Sequence, residues 1–527
     1  MPPFRLLGAL LALLLGCGAA AAGEWHETDC PYGTVRGPND RVLQCGIFTP
    51  GGARAQAGQV PVRLLVNIFR AQAHPAARLA PVVYLSGGPG QDVDLGTPAG
   101  VARWQAYLRS TLSWTEGRDV IVVGQRGLTR GLSPFDPPWA PDMECRRLSD
   151  PRIWLGARER PETVADPVET SRIGLAACHS ELMAIGFDLA AYDTRQSAAD
   201  LAELRAALGI RSWVVFGVSY GTRLGLELIR QDGAGVQAAV LDSVFPPQVT
   251  DHWTDAAPFD RALERMLAAC LADAPCAAAY PNLGARLDAL LARLAAAPMP
   301  LRLDPVGDIP ELWIRLDDAA LLDMIFTQLY WVWGLESLPR AIDALDRGDL
   351  DTFRRLLVAP YVDAGAAEGW SYGLQIAVSC NDDGAWFAPE EIAAQQAAHP
   401  RLAGWIGQAG DAHLCEGWPM RPRSDGFPEP VVSDVPVLLM AGDLDPVTPP
   451  DYAQRAAEGL SRSEVYVAPG SGHSVLDQSD CARDVVEDFL ARVAQDTLAG
   501  ARSELRPGEG AEGPACEDAP QPMFDLP

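Results

Sequence analysis

Short apolar runs bounded by turn residues alternate along the chain with stretches of helical periodicity. Runs that are nearly continuous in Val, Ile and Leu are typical of strands buried on both faces of a sheet. They predict strands at residues 60–69, 81–86, 119–124, 212–217, 236–242, 435–442 and 464–470. This alternation predicts an α/β protein with a mostly parallel central sheet covered by helices.

One helix is marked clearly, directly before the fourth predicted strand. Leu201, Leu204 and Leu208 fall on one helical face, Ser197 is the predicted N-cap and Gly209 the stop signal. The pattern therefore predicts an amphipathic helix that packs against the sheet.

The alternation of strand and helix patterns stops between the fifth and sixth predicted strands. From about residue 250 to 425 the chain is rich in Ala and Leu, reads as helical and lacks strong strand signals. An insertion of this size before the last two core strands predicts a large helical cap. The predicted organisation is therefore core at 24–249, cap at 250–425 and core again at 426–500.

Both ends of the chain carry their own signals. Residues 1–23 combine one Arg, an apolar run and a small-residue tract, which predicts a secretory signal peptide. The stretch Leu-Leu-Gly-Cys ending at Cys17 resembles a bacterial lipoprotein box, with cleavage after the Ala run as the equal alternative. Residues 501–527 have a composition typical of disorder unless Cys516 tethers them. We expect an exported protein that is periplasmic, anchored to the outer membrane only through a lipid on Cys17, or secreted.

The cysteines fit export. Of 11 cysteines, those other than Cys17 make an even number, as expected in an oxidising compartment. Sequence proximity predicts the pairs Cys30–Cys45, Cys145–Cys178, Cys270–Cys276, Cys380–Cys415 and Cys481–Cys516. Their spacing does not resemble a zinc site, so no metal site is predicted. A net charge of −27 excludes nonspecific nucleic-acid binding, which requires a basic surface.

Two pentapeptides fit the G-x-S-x-G pattern of a nucleophilic serine: GVSYG at 217–221 and GWSYG at 369–373. The first follows an apolar strand and precedes a buried helix, and a nucleophile elbow requires that strand, sharp turn and helix. The second follows a polar connector rich in Gly and Ala, so Ser371 is predicted to start a helix or lie on the cap surface. Ser219 is therefore the predicted nucleophile.

A serine at neutral pH needs a general base, and the base needs an acid that orients it. With a nucleophile elbow, the expected chain order is serine, acid, histidine, with the last two on loops after late strands. His473 follows the last predicted strand in a Gly-Ser-Gly-His loop and is the predicted base. Asp443 and Asp445 compete as the acid; Asp445 is favoured because it lies deeper in its loop.

The tetrahedral intermediate needs two backbone N–H donors. One is the amide of Tyr220, directly after the nucleophile. The other is expected from the Gly-Gly-Pro-Gly turn at 87–90, where Gly88 is favoured because Pro89 has no N–H. The cap aromatics Trp331 and Trp333 are more often core residues than pocket residues at such a spacing, so a core position is expected.

Five segments taken together resemble a known family: SGGPG (86–90), GQRG (124–127), GVSYGT (217–222), LDPVTP (444–449) and GSGH (470–473). They are similar to the α/β-hydrolase peptidases of the proline iminopeptidase and tripeptidyl aminopeptidase group, and the similarity extends over nearly the whole mature chain. The resemblance implies release of residues from peptide N-termini by Ser219, Asp445 and His473 without a cofactor or metal. The chain departs from its relatives at two positions: many relatives have Asp where this chain has Gly124 and His where it has Ser86. These departures put the local support of the two loops in doubt.

The resemblance also implies that cap carboxylates hold the substrate ammonium. Asp382 and Asp383 match the acidic positions after the family's cap cysteine, although they could equally cap a helix. The leading hypothesis is an exported serine exopeptidase acting on peptides through an acyl-enzyme. A carboxylesterase with the same triad, and a catalytically silent binding protein on this fold, are the alternatives; the residue preference and oligomeric state are left open.

Overall fold

The computed structural model describes most of the mature chain. The described residues are 23–30, 39–51, 59–72, 79–128, 142–249, 256–305, 310–365, 369–383, 389–406, 415, 417–418, 427–499 and 524–526. The predicted signal peptide with Cys17, and most of the C-terminal tail with Cys516, lie outside them, and those predictions remain open.

Eleven strands occur in these residues: β1 Glu24–Thr28, β2 Leu43–Thr49, β3 Leu64–Phe69, β4 Val82–Leu85, β5 Val120–Val123, β6 Trp213–Val218, β7 Val236–Asp242, β8 Met299–Leu303, β9 Leu312–Leu316, β10 Val437–Gly442 and β11 Ser463–Ala468. Nine of them form one sheet in the order β1-β2-β3-β5-β4-β6-β7-β10-β11. Neighbours from β5 to β11 run parallel, whereas β1, β2, β3 and β5 pair antiparallel. This is the α/β-hydrolase fold that the sequence predicts, and every predicted strand is present.

The helices are α1 Pro98–Arg109, α2 Pro151–Trp154, α3 Pro167–Ile185, α4 Thr194–Ala207, α5 Tyr220–Asp232, α6 Ala257–Ala272, α7 Ala274–Ala279, α8 Leu283–Ala296, α9 Asp318–Leu329, α10 Val332–Asp346, α11 Leu350–Phe353, α12 Ala359–Gly365, α13 Tyr372–Asp383, α14 Pro389–Ala398, α15 Pro450–Ala457, α16 Val475–Gln478 and α17 Asp480–Ala499. A π-helical segment, Arg354–Val358, joins α11 to α12. The predicted helix before β6 is α4, but its N-cap is Asp193 rather than Ser197, because the Asp193 side chain accepts the Gln196 N–H at 2.7 Å.

The sheet is apolar on both faces because successive strand side chains point to opposite sides. On β6, Val215 belongs to one buried cluster, while Val214 and Phe216 belong to the cluster on the other face. All three side chains are fully buried. The strands that were predicted from continuous apolar runs are therefore the ones that pack against other parts of the protein on both faces of the sheet.

The cap is inserted between β7 and β10 and contains α6 to α14. It has its own apolar core, separate from the two clusters that cover the sheet. It also contains an antiparallel strand pair, β8 with β9, in a segment where the sequence carries no strong strand signal. Leu301 and Leu303 of β8, and Leu312, Ile314 and Leu316 of β9, alternate inward onto the helices.

Four of the predicted disulfides are present: Cys30–Cys45, Cys145–Cys178, Cys270–Cys276 and Cys380–Cys415. The fifth predicted pair includes Cys516, outside the described residues. Among the residues described, no helix combines the length and apolar character needed to cross a membrane.

Candidate active site

Ser219 occupies a tight turn between β6 and α5. Its φ of 56° and ψ of −122° are unusual for a residue with a side chain, and such strain is characteristic of a nucleophile elbow. The turn requires glycine on both sides: a Cβ on Gly217 would lie 2.4 Å from the Gly221 carbonyl oxygen, and one on Gly221 would lie 2.1 Å from that of Leu85. The strand, turn and helix predicted around Ser219 are thus present.

Asp445 and His473 come together at the ends of β10 and β11. Nδ1 of His473 lies 2.8 Å from Oδ2 of Asp445, which is fully buried. The other carboxylate oxygen accepts the backbone N–H groups of Val447 at 2.8 Å and Thr448 at 2.9 Å, and the Thr448 hydroxyl donates to Oδ2 at 2.6 Å. These donors fix the carboxylate toward the imidazole.

The electrostatics of this pair favour an anionic acid and make the imidazole more basic. Burial raises the pKa of Asp445, but the neighbouring His473 and the hydrogen bonds outweigh burial and hold the pKa below its usual value. Burial lowers the pKa of His473, and the charge and hydrogen bond of Asp445 outweigh that effect, so the net pKa is raised. A base with a pKa raised in this way is stronger than a free imidazole.

Asp443, the competing acid, is engaged elsewhere. Its Oδ1 accepts the Gly470 N–H at 2.7 Å, and its Oδ2 lies 3.4 Å from the guanidinium of Arg265. Its carboxylate therefore ties the β10 loop to the β11 loop, while Asp445 contacts His473. The geometry agrees with the choice of Asp445.

The loop Gly87–Gly90 lies beside Ser219 and is held by Gln125. The Gln125 side-chain amide donates to the carbonyls of Ser86 at 3.1 Å and Gly87 at 2.8 Å and to the Ser86 hydroxyl at 2.8 Å, and its oxygen accepts the Gly90 N–H at 2.9 Å. A Cβ on Gly87 would lie 3.3 Å from the Ser219 Cβ. Gln125 thus supports the loop whose stability was in doubt because Ser86 replaces the His of relatives. No role for Gln125 was predicted.

Ser219, His473, Gly88 and Tyr220 all line one cavity of about 280 Å³ between the core and the cap. The cap side of this cavity is largely aromatic: Phe326, Tyr330, Trp331, Trp370 and Trp405. The Tyr330 ring meets the His473 ring edge to face at 5.2 Å, and the Tyr330 carbonyl accepts the His473 N–H at 2.9 Å. The cap therefore both roofs the cavity and supports the histidine loop.

The chain is similar to known proteins over most of its length. Residues 404–498, which include Asp445 and His473, match the family model described as TAP-like protein. The chain is 25% identical over 523 residues to the serine protease Hip1 of Mycobacterium tuberculosis and to that of Mycobacterium bovis, covering 92% of this chain and 94% of each relative. The protein is a serine hydrolase.

Solved structures similar to this serine hydrolase include the proline iminopeptidase of Mycobacterium smegmatis, at 17% identity and a TM-score of 0.33, covering 83% of this chain and 97% of that one. They also include an esterase from Exiguobacterium antarcticum, at 14% identity and a TM-score of 0.33, covering 82% of this chain and 96% of that one. The assignment of fold rests on the order and direction of the strands described above.

Ser371, the serine of the second pentapeptide, directly precedes α13 and is buried. Its hydroxyl donates to the Met143 carbonyl at 2.7 Å and accepts the Leu374 N–H at 3.4 Å. Its own N–H donates to the Gly90 carbonyl at 2.8 Å, so it braces the loop beside Ser219. The predicted helix start is confirmed, but the alternative of a position on the cap surface is wrong.

Asp382 and Asp383, at the end of α13, line the same cavity but are engaged by the core. Asp383 accepts from the Arg223 guanidinium at 2.9 and 3.0 Å. Asp382 accepts the Thr194 N–H at 3.1 Å and its hydroxyl at 2.5 Å. Burial raises the pKa of Asp382 to about 7, although Arg223 acts to lower it. Both carboxylates therefore connect the cap to the elbow helix and to the start of α4.

Trp331 and Trp333 are not core residues, contrary to expectation. Trp331 is half-buried and lines the cavity, and Trp333 is 59% exposed. The two rings stack at 5.0 Å with an interplanar angle of 7°. Within the described ranges, no group of three or more His, Cys, Asp or Glu side chains is arranged to hold a metal ion.

Proposed function

We propose that this serine hydrolase is an exported exopeptidase that releases residues or short peptides from the N-terminus of peptides. The observation that carries the proposal is the charge of the cavity beside Ser219. Among its lining residues, Asp323, Asp382 and Asp383 face a single guanidinium, that of Arg223. An excess of carboxylates next to the nucleophile favours a substrate with a free ammonium group.

The proposed reaction uses the three residues in their usual roles. The hydroxyl oxygen of Ser219 attacks the carbonyl carbon of the scissile amide while Nε2 of His473 takes the hydroxyl proton. Asp445 keeps the remaining proton on Nδ1 and stabilises the imidazolium. His473 then returns the proton to the leaving amine, and water hydrolyses the acyl-enzyme by the reverse sequence. No cofactor or metal takes part.

The oxyanion of each tetrahedral intermediate is proposed to bind the N–H groups of Tyr220 and Gly88. Tyr220 is the first residue of α5, and an N–H at that position has no acceptor within the helix. The positive end of the helix dipole adds to the stabilisation of the oxyanion. Gly88 follows Gly87, where an added Cβ would lie only 3.3 Å from the Ser219 Cβ, so this loop runs beside the proposed nucleophile.

Peptide p-nitroanilides with free and with acetylated N-termini test this function. We expect rapid turnover of the free amines, slow turnover of the acetylated analogues and none by Ser219→Ala. Equal turnover of both would refute the exopeptidase. Hydrolysis of p-nitrophenyl esters without any peptide release would indicate a carboxylesterase, and failure of the wild type to react with a fluorophosphonate would indicate a catalytically silent protein.

Export is part of the proposal and rests on the sequence of the N-terminus and on the disulfides. Four disulfides in the described residues fit an oxidising compartment. Fractionation of bacteria expressing the full chain should place it outside the cytoplasm. Palmitate labelling that is lost in Cys17→Ala would identify a lipoprotein; retention of the protein in the cytoplasm would contradict export.

A further inference from the structure

A second cavity, of about 310 Å³, adjoins the cavity that contains Ser219. Asp323, Gln375 and Trp405 line both of them. The second cavity lies between α2 and α3 on one side and β9 and α9 of the cap on the other. The shared residues make the two cavities neighbours across one wall, so a ligand bound at Ser219 can extend toward the second cavity.

The second cavity is mainly apolar. Its walls include Trp154, Leu175, Ile314, Tyr361 and Tyr372, and the rings of Trp154 and Tyr361 meet edge to face at 5.1 Å. Two of its charged residues neutralise each other, since the Arg315 guanidinium lies 2.8 Å from the Asp317 carboxylate. Aromatic and aliphatic walls with few polar groups are suited to an apolar ligand group.

Asp323 is the exception to this neutrality. It is half-buried, accepts hydrogen bonds from the Tyr361 hydroxyl and, at 3.2 Å, from the Trp405 ring N–H, and pairs with no cationic side chain in the described part of the chain. Asp383 and Asp445 differ, because Asp383 pairs with Arg223 and Asp445 with His473. Asp382 differs as well, because it accepts both the N–H and the hydroxyl of Thr194 and lies within the electrostatic reach of Arg223. Burial raises the pKa of Asp323, an effect that a bound cation would oppose.

We propose that Asp323 binds the ammonium of the substrate's N-terminal residue and that the second cavity receives the side chain of that residue. The inference rests on the exopeptidase function proposed above and names its substrate class: peptides with a free N-terminus and a large apolar first residue. Asp323 lies on the wall shared by the two cavities. The N-terminal residue of the substrate can therefore place its ammonium at this wall and its side chain in the second cavity. Asp382 and Asp383 then serve mainly to hold the cap to the core.

Asp323→Asn tests the ammonium site. Asn keeps an oxygen to accept from Tyr361 or Trp405 but removes the negative charge. We expect kcat/KM for free-amine p-nitroanilides to fall about 10- to 100-fold, as for the loss of a hydrogen bond to a charged group. Turnover of acetylated substrates, which carry no ammonium, should fall far less than turnover of the free amines, and retained fluorophosphonate labelling establishes that the variant is folded.

Ala320→Phe tests the second cavity. Ala320 lines that cavity and does not line the first, so a larger side chain fills the second without touching the triad. In a peptide library digested by the wild type, we expect products that begin with large apolar residues to dominate. The variant should lose that preference by about tenfold while peptides beginning with Gly or Ala are cleaved as before.

The outcomes separate this inference from the function on which it rests. If the wild type does not prefer free amines, the exopeptidase proposal itself fails. If the wild type prefers free amines and Asp323→Asn retains that preference, only the assignment of Asp323 is overturned, and a selective loss in Asp382→Asn would move the ammonium site there. An unchanged preference for the first residue in Ala320→Phe would overturn the role of the second cavity.

Discussion

Asp242, at the end of β7, is expected to control the position of His473, the proposed general base. Its backbone carbonyl accepts the Ser219 N–H at 2.9 Å. Its two side-chain oxygens accept the N–H groups of Val475 and Leu476, each at 2.9 Å. Asp242 therefore connects two parts of the site: its backbone carbonyl holds the nucleophile elbow, and its carboxylate holds the loop that follows His473.

The magnitude follows from these contacts. Asp242 is 1% exposed, so Asp242→Ala leaves two buried N–H groups without acceptors, at about 1–3 kcal/mol each. The loop that follows His473 can shift so that these N–H groups reach other acceptors. The free-energy cost is then paid by moving His473 away from its position beside Asp445. Asp242→Asn retains one acceptor, so about half of the cost, ~1–3 kcal/mol, is expected to fall on catalysis. This corresponds to a fall in kcat of about 5- to 150-fold.

The assay is hydrolysis of p-nitrophenyl acetate at pH 8. Burial raises the pKa of Asp242 to about 6, so the wild-type carboxylate is ionised there. We expect kcat to fall with little change in KM, because Asp242 is not among the lining residues of the cavity. Asp480→Asn is the matched control: Asp480 is exposed at the start of α17 and pairs only with Arg483 in the described contacts. A folded Asp242→Asn protein with kcat within twofold of the wild type would refute the reasoning.

Three further predictions concern the triad and its loop. Ser219→Ala should abolish fluorophosphonate labelling and Ser371→Ala should retain it; the reverse result would exchange their roles. Gln125→Ala removes four hydrogen bonds, two to Ser86 and one each to Gly87 and Gly90, and should lower kcat about tenfold or more in the ester assay; unchanged kcat would mean that the loop holds its shape alone. Because His473 must be neutral to act as base and its pKa is raised, the acid limb of kcat/KM against pH should have a midpoint above 6.5. In Asp445→Asn the midpoint should fall and kcat should drop by about 10⁴; a wild-type midpoint below 6.5 would contradict the pairing.

The strands and the elbow were predictable because their signals are local. A buried parallel strand is recorded in one apolar run, and the elbow in one strand, two glycines and one helix. The edge strand β1 and its neighbour β2 escaped prediction because they are partly exposed and lack a continuous apolar run. β8 and β9 were hidden for a similar reason: they are five-residue strands inside a segment dominated by helical periodicity.

The carboxylates of the cavity show why substrate contacts are harder to predict than a triad. Whether an aspartate is available to a ligand depends on its partners, and those of Asp382 and Asp383 lie 188 and 160 residues away in the chain. No local pattern records such pairs. Asp323 does leave a local trace, since it stands alone within the apolar run LLDMIF of α9. A carboxylate is costly to bury without a counterion, and the substrate ammonium proposed above would supply that counterion to Asp323.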